Sequence, residues 1–285
     1  MNWQEAILHA SSRLESKIKD AGRNAEYLAL HVLQLWNRTE IRKFYGTTLS
    51  PEEEAKYHGL VSRRLKQEPL QHITGETEFF GLRFFTSPAA LIPRPDTEIL
   101  VEEILKVAAL FPKKGLRILD IGTGSGIIAL AIASKLPSAK IIGIDISAEA
   151  LQLADKNKER LGLSNATFEH IDIFDTGIEN NFSEKIDILV SNPPYIAVED
   201  VETLDDEVRN FDPRIALTDG SDGLSFYRRI SEIASTILSG ESRIIVEIGF
   251  GMTEKVKGIF SDGGFMVLEV LKDLQGIDRV IVIQL

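Results

Sequence analysis

The residues best placed to do chemistry are Asn192-Pro193-Pro194-Tyr195, which come directly after the apolar run Ile186-Asp187-Ile188-Leu189-Val190. A short apolar run rich in β-branched residues reads as a buried parallel strand. The tetrapeptide then stands at that strand's carboxyl end, where open α/β sheets place their ligands. Proline fixes φ and cannot donate to a ladder, so the paired prolines force the chain out of the sheet with carbonyls unpaired. The Asn192 side-chain carbonyl and the Pro193 backbone carbonyl become two acceptors beside the Tyr195 ring. That set suits a planar NH2 group: an amide or an exocyclic base amine can donate both hydrogens while Tyr195 packs against its flat face. The same four residues would also make an ordinary Asn-Pro turn. What lies upstream favours the chemical reading.

Upstream, Leu116-Arg117-Ile118-Leu119 leads into Asp120-Ile121-Gly122-Thr123-Gly124-Ser125-Gly126 and then a helical run from Ile127 to Lys135. Strand, tight glycine turn and helix together aim backbone N–H groups and a helix N-terminus at a ligand, which predicts a carboxylate or phosphate on that ligand. A dinucleotide fingerprint needs G-x-G-x-x-G, and here the third glycine falls one residue early, with Ile127 in its place. The spacing argues against NAD. A glycine turn alone would equally serve a close helix–strand crossing. Two acids add to it: Asp120 at the mouth of the first strand, and Asp145 at the end of the next, Lys140-Ile141-Ile142-Gly143-Ile144. A carboxylate at the second position can accept from both ribose hydroxyls. Its alternative is to cap the helix that begins near Ser147.

The elements that must position these groups alternate strand and helix, as a doubly wound sheet requires. Strands are predicted near 117–121, 140–145, 166–170, 186–191 and 243–248, with two more near 265–271 and 278–284. The connector Lys272-Asp273-Leu274-Gln275-Gly276-Ile277 is too short for a parallel crossover, so the last two strands should pair antiparallel. Before the sheet, Trp3, Ile7, Ala10, Leu14 and Ile18 recur at helical spacing, as do Ala25, Leu28, Val32, Leu35 and Trp36. Both sets predict the core stripes of a small all-α bundle. Ser50-Pro51-Glu52-Glu53 reads as N-cap, first-turn proline and capping-box acid for a helix reaching about Gln67. The organisation expected is a bundle over 1–70, a linker hairpin over 71–92 built around Phe79, Phe80, Gly81, Phe84 and Phe85, and a sheet domain over 93–285. Asp96 is expected to cap the helix carrying Val101, Ile104 and Leu105.

Segment 196–225 shows no clear strand or helix character and holds the acids Glu199, Asp200, Glu202, Asp205, Asp206 and Glu207. Long connections of this kind are lids or binding loops. A charge run is more often a solvated face, but this one begins at the substrate motif. It is therefore expected to help seat a substrate protein, an idea that unchanged substrate affinity at low salt after neutralisation would discard.

Composition bounds the classes that remain. The 285 residues suffice for two domains, the apolar content is 44%, and the net charge is −11 with a pI near 5.1. That charge repels a phosphate backbone unless a basic patch intervenes, so a protein substrate is preferred to DNA and direct nucleic-acid binding is not expected. No apolar run approaches a membrane span, and the N-terminus, with Glu5, Glu15 and Lys17, lacks a signal-peptide core. A cytoplasmic, monomeric protein is the expectation. The chain has no cysteine, and its five histidines (His9, His31, His58, His72, His170) show no ligand spacing. No metal is predicted.

Asp-x-Gly-x-Gly-x-Gly, an acid after the second strand and Asn-Pro-Pro-Tyr after the fourth together resemble the class I S-adenosylmethionine-dependent methyltransferases. The stretches Glu68-Pro69-Leu70-Gln71-His72-Ile73-Thr74-Gly75, Glu78-Phe79-Phe80-Gly81 and Leu91-Ile92-Pro93-Arg94-Pro95-Asp96-Thr97-Glu98 narrow this: nearly the whole chain resembles the bacterial peptide chain release factor glutamine methyltransferases, the PrmC/HemK family. The Asn-Pro-Pro-Tyr motif is shared with enzymes acting on adenine, guanine and glutamine, whereas the Arg94-to-Glu98 segment is selective for this family.

The resemblance implies a seven-stranded class I methyltransferase sheet with an antiparallel last strand, preceded by a helical bundle that docks the substrate. It implies S-adenosylmethionine as cofactor, S-adenosylhomocysteine as product, and the glutamine of the Gly-Gly-Gln motif in release factors as methyl acceptor. Gly122, Thr123, Gly124, Ser125 and Gly126, with Asp120, match the cofactor loop and Asp145 the ribose acid. Asn192, Pro193, Pro194 and Tyr195 match the substrate motif, with Asn192, Pro193 and Tyr195 as catalytic residues and Asn192 also touching the cofactor. After the third strand the family often has an acid and then an aromatic. Here Asp172 is followed by Ile173, with Phe174 one place later. Asp172 would accept from the adenine amine, and either Ile173 or Phe174 would cover the ring. Two other readings use the same residues: a nucleic-acid exocyclic-amine methyltransferase, and a cofactor-binding regulator with a silent site.

Overall fold

The structure is a computed structural model describing residues 1–112 and 115–284. The chain divides into two compact units, one comprising residues 1–76 and 205–211 and the other residues 77–204 and 212–285.

The first unit is helical. Asn2 caps α1 (Trp3–Leu14) in a reciprocal capping box with Glu5, and Ser50 does the same with Glu53 for α3 (Pro51–Arg64), which follows α2 (Ala21–Val32). Each box satisfies backbone donors that a helix N-terminus otherwise leaves open. The apolar stripes meet as expected: Trp3, Ala10, Leu14, Ile18, Ala25 and Leu28 share one buried cluster. Tyr57 of α3 lies edge-on to Trp3 at 5.4 Å and donates its hydroxyl to Ala25 O at 3.0 Å. Trp36 departs from the expected stripe and is 43% exposed. The chain turns left-handed at Gln34 (φ 55°) after α2 ends, which breaks the helical spacing on which the stripe depended. Buried Arg64 donates to Asn24 Oδ1, to Glu68 O and to Glu207 Oε2, each at 2.8 Å. α4 (Leu70–Thr74) precedes Gly75, so the first residues of the predicted 71–92 hairpin are helical.

The second unit opens with the hairpin β1 (Glu76–Phe79) and β2 (Leu82–Phe85), then α5 (Thr97–Leu110). Strand and helix then alternate through β3 (Arg117–Ile121), α6 (Ile127–Lys135), β4 (Lys140–Asp145), α7 (Ala148–Leu161), β5 (Ala166–His170) and β6 (Ile186–Ser191). The stretch expected to lack regular structure contains a short 3-10 helix (Val198–Thr203), α8 (Asp206–Phe211), which belongs to the first unit, and α9 (Arg214–Leu217). These pieces are too short for a 3.6-residue period to show in the sequence. α10 (Ser225–Ile237), β7 (Leu238–Glu247), α11 (Thr253–Asp262), β8 (Met266–Lys272) and β9 (Asp278–Gln284) complete the chain.

Seven strands among the described residues form one sheet in the order β5-β4-β3-β6-β7-β9-β8. β3 to β7 run parallel, and β9 is antiparallel to both β7 and β8, as the short 272–277 connector predicted. Alternation within the strands builds two cores. Ile118, Ile188, Val190 and Ile245 pack with α5 and α6, while Leu119, Leu189, Ile244 and Val246 pack with α10 and α11. A sheet covered on both faces needs such continuous apolar strands. β3 and β6 are neighbours although two strand–helix units separate them, so the order reverses between Ile121 and Ser191. Crevices outside the carboxyl ends of strands at such a reversal are where these folds bind ligands.

Candidate active site

A cleft with an empty volume of about 970 Å³ opens at that reversal, walled by Gly122, Thr123, Gly124 and Ser125 after β3, Asp145 after β4, Asp172 and Ile173 after β5, and Asn192 and Pro194 after β6. Residues from four different strand ends therefore converge, which only the sheet order makes possible. Of the residues named from sequence, Asp120, Gly126, Pro193 and Tyr195 are not on the cleft wall. Asp120 lies beneath the glycine turn, fully buried, with Oδ2 accepting from Thr123 Oγ1 at 2.7 Å. Gly126 packs under Phe168 and Ala154, Pro193 is buried, and half-buried Tyr195 sits against Gly249, where an added Cβ would come within 2.9 Å of Tyr195 Cδ2.

The glycine turn is built differently from an anion nest. Gly122 N and Thr123 N donate to Ile144 O at 2.9 and 3.0 Å, Gly126 N to Thr123 O at 2.9 Å, and Gly124 N to Asp145 Oδ2 at 2.8 Å. The first two and the last of these N–H groups tie the turn to β4, and that of Gly126 closes the turn on itself. The glycines serve close approach: a Cβ on Gly126, whose φ is +75°, would meet Phe168 Cζ at 2.8 Å and Ala154 Cβ at 2.9 Å. Asn157 of α7 fixes the turn from behind by donating to Ser125 O and Phe85 O. Asp145 is not the cap of α7. Ser147 is, accepting from Ala150 N at 3.1 Å, while Asp145 Oδ1 accepts from Ser147 N at 2.9 Å.

Ile173 is buried against the cleft, and Phe174 is 47% exposed and off the wall. The aromatic at the site is Phe226 at the start of α10, which lines the cleft and meets Phe174 edge-on at 5.1 Å. Sequence reading missed Phe226 because it follows the long loop and carries no motif.

The Arg94-to-Glu98 segment divides its work. Pro93, Arg94 and Thr97 line the cleft. Arg94 pairs with buried Asp212 at 3.1 Å, anchoring the segment that brings Pro213, Ile215 and Ala216 to the same wall. Thr97 Oγ1 accepts from Asn192 Nδ2 at 3.4 Å, and Glu98 Oε1 accepts from Phe80 N at 2.7 Å. Asp96 occupies the cap position of α5 without a side-chain cap bond and reaches Arg279 at 3.5 Å, contrary to the capping role expected for it. The acidic run is also not a uniform patch: Glu207 neutralises Arg64 and Asp206 pairs with Arg209.

Burial raises the Asp120 carboxyl to about 7, with the neighbouring Asp145 charge adding to it and the Thr123 hydroxyl opposing it. Burial likewise raises Asp145. A carboxyl whose folded pKa exceeds its unfolded value binds its proton more tightly when folded, so its contribution is present below pH 4 and is lost as pH rises through about 7. For Asp120 that loss is of order 4 kcal/mol, at about 1.4 kcal/mol per pKa unit. Asp120→Asn is expected to be more stable than the parent at pH 8 and to lose that advantage at pH 5, measured by melting temperature. Parallel pH curves for the two proteins would show that Asp120 does not titrate in this window.

Among the described residues no group of three or more His, Cys, Asp or Glu is placed to hold a metal ion, and no helix is long and apolar enough to cross a membrane.

The parallel sheet with its reversed β9 and a glycine turn at the switch point define a class I methyltransferase domain, and residues 112–246 match the family described as a methyltransferase domain. A crystal structure of a methyltransferase from Pyrococcus furiosus shares the fold, with TM-score 0.51 and 17% identity over 72% of this chain and 90% of that one. Residues 5–75 match the PrmC N-terminal domain. A release factor glutamine methyltransferase from Geobacter sulfurreducens is 43% identical over 281 residues, covering 99% of this chain and 94% of that protein. One from Thermodesulfovibrio yellowstonii is 40% identical over 264 residues, 92% of each. The chain belongs to the release factor glutamine methyltransferases.

S-adenosylmethionine is the methyl donor of this class, and the cleft's donor set suits it. Asp145 offers a carboxylate for ribose hydroxyls, Ile146, Ile173 and Phe226 offer apolar faces for a flat base, and the glycine turn admits a ligand closely.

Proposed function

We propose that this chain transfers a methyl group from S-adenosylmethionine to the side-chain amide nitrogen of the glutamine in the Gly-Gly-Gln motif of peptide chain release factors. The observation that carries this reading is the meeting of Asn192 and Pro194 with the glycine turn and Asp145 in one cleft. The names of the relatives support release factors as substrate. Bound, the cofactor supplies a sulfonium methyl, so that an N–C bond forms, an S–C bond breaks and S-adenosylhomocysteine leaves. Gly122 to Ser125, Asp145, Asp172 and Ile173 would hold it, with Asp120 supporting the turn from below.

An amide nitrogen is a poor nucleophile because its lone pair is delocalised. The residues of the site must therefore hold it near attack distance with that lone pair turned to the methyl carbon. Asn192 Oδ1 and Pro193 O would accept its two hydrogens and favour the positive charge developing on nitrogen. Tyr195, off the cofactor wall, would flank the amide from the substrate side. The alkylated amide is acidic enough to release its proton to water, and no general base is assigned. The helical unit would dock the release factor, and the protein is expected to act as a monomer in the cytoplasm without binding nucleic acid directly.

The test is methyl transfer from labelled S-adenosylmethionine to a release factor, to the same factor with its Gly-Gly-Gln glutamine changed to alanine, and to DNA and ribosomal RNA. Labelling of the intact factor alone supports the proposal. Labelling of nucleic acid with the factor untouched overturns it, and cofactor binding without any labelling points to a silent site.

A further inference from the structure

One buried amide behind the cleft has no part in the chemistry above. Asn157 of α7 is 0% exposed; its Oδ1 accepts from Phe85 N at 2.7 Å, and its Nδ2 donates to Phe85 O at 3.2 Å and to Ser125 O at 3.1 Å. A backbone N–H only donates and a carbonyl only accepts, so these partners determine which way the amide faces and engage both Nδ2 hydrogens. The rest of the same α7 face holds the chain that follows Phe85. Ala150, Leu153, Asn157 and Arg160 recur at the three- and four-residue spacing that sets side chains in one row on a helix. Arg160 Cζ stands 4.1 Å from the centre of the Phe85 ring, and Ala150 and Leu153 share a small buried cluster with Ala90. Ala90 in turn lies over the glycine turn, its Cβ 3.8 Å from where a Cβ on Gly124 would stand. Ala89, Ala90 and Leu91 line the same cleft as Gly124 and Ser125, whereas Phe85 and Asn157 are off its wall.

We propose that residues 85–91 form a strap across the glycine turn, and that Asn157 is the positioning residue that fixes strap and turn relative to each other and thereby sets the affinity for S-adenosylmethionine. This rests on reading the cleft as the cofactor site. An apolar side chain at 157 would fill the space behind the turn without selecting one arrangement of its neighbours. A buried amide costs free energy unless its bonds are made, so it selects the arrangement in which Phe85 and Ser125 both reach it. Ser125 belongs to the cofactor turn and Phe85 begins the strap, so one side chain of α7 joins two parts of the cleft that lie far apart in the chain. Such coupling is reciprocal. If the joint raises affinity for the cofactor, bound cofactor must hold the joint closed by the same factor.

The experiment measures equilibrium binding of S-adenosylmethionine to the full-length parent, Asn157→Asp and Asn165→Asp, each well below its melting temperature. Asn157→Asp keeps the shape and an acceptor for Phe85 N but loses the donor to both carbonyls. Asn165 is the matched control: its Nδ2 donates to Ala133 O, Leu136 O and Ala139 O, and it is off the cleft wall. Both variants should lose melting temperature. Only Asn157→Asp should bind S-adenosylmethionine about tenfold or more weakly, the size that losing one or two buried hydrogen bonds allows, with Asn165→Asp within about threefold of the parent. A second readout needs no variant. Saturating S-adenosylmethionine should slow backbone amide exchange at Phe85 in the parent by about tenfold or more, and by more than at Ala139, whose N–H donates to Leu136 O near the control site. An unchanged Kd in Asn157→Asp, or equal losses in the two variants, overturns the positioning role and leaves the function standing. If Asn157→Asp does not fold, exchange at Phe85 that slows no more than at Ala139 overturns it. A parent that binds no S-adenosylmethionine removes the cofactor reading of the cleft, and this inference with it.

Discussion

Asn192→Ala is expected to lower kcat by about two to three orders of magnitude while leaving the dissociation constant for S-adenosylmethionine within about threefold. The size follows from comparison with other sites in which one preorganised polar group is removed from where charge develops, at a cost of about 10²–10³ in rate. Here the lost group is an acceptor and the charge that develops is positive, so the same electrostatic logic applies with the sign reversed. Cofactor binding should change little because many other residues wall the cleft, among them the glycine turn, Asp145 and Ile173. The truncation also removes the donor to Thr97 Oγ1, and some loss of melting temperature should accompany it. Rapid-quench turnover and equilibrium cofactor binding, measured on the same preparation, separate the two effects. Equal losses in both would make Asn192 chiefly a cofactor contact and remove it from the reacting centre.

The second large effect is expected at a residue that touches no ligand. Gly223 has φ +77°, and a Cβ placed there would stand 2.2 Å from Tyr195 O, 2.8 Å from Tyr195 C and 3.3 Å from Ala197 N. The obstacle is backbone, which cannot rotate aside. The turn carrying Gly223 is itself held: Asp219 accepts from Ser221 N, Gly223 N and Ser225 N, while Ile196 N donates to Leu217 O and Val198 N to Ser221 O. Alanine must therefore push out the Tyr195 carbonyl and, with it, the end of the Asn-Pro-Pro-Tyr turn. Left-handed strain of about 1–2 kcal/mol and overpacking of about 1–3 kcal/mol together predict a clear loss of stability. Turnover should fall by about 10²-fold, the usual consequence of an ångström-scale misplacement. Gly220 is the control, since its φ is +76° but nothing lies within 4 Å of its added Cβ. Gly220→Ala should show the strain without the loss of turnover. If the two variants behave alike, the close approach to Tyr195 does not position the motif.

Gly223 also illustrates what sequence pattern does and does not convey. Asp222-Gly223 reads as a turn from its residue types, yet nothing local says that the turn lies against the backbone of a motif nearly thirty positions earlier. The same limit explains Phe226 and Thr97. Each belongs to an ordinary helix start, and its importance comes from neighbours far away in the chain. Trp36 and Asp96 err in the other direction. Local pattern assigned them a core stripe and a helix cap, but a left-handed Gln34 and the nearby Arg279 decided otherwise.

By itself the sequence determined whatever rests on short-range periodicity and on residue types with one strong preference. The β3, β4, β5 and β6 strands came out at their predicted bounds, and for β3 and β6 the reason is plain: apolar runs rich in β-branched residues and ended by Gly122 or by Asn192-Pro193 have few alternatives. The 272–277 connector likewise required β8 and β9 to run antiparallel. The Asn192-to-Tyr195 turn and the glycine turn were legible as places where chemistry could occur. Only the tertiary structure decided which of those residues share a wall. Setting β3 beside β6 brings Gly122 and Asn192 to one cleft while leaving Asp120 beneath it and Tyr195 beyond it. The physical reason is that strand order is settled by how two apolar faces are covered over the whole sheet, whereas the orientation of a side chain at the site depends on hydrogen-bond partners contributed by distant strands.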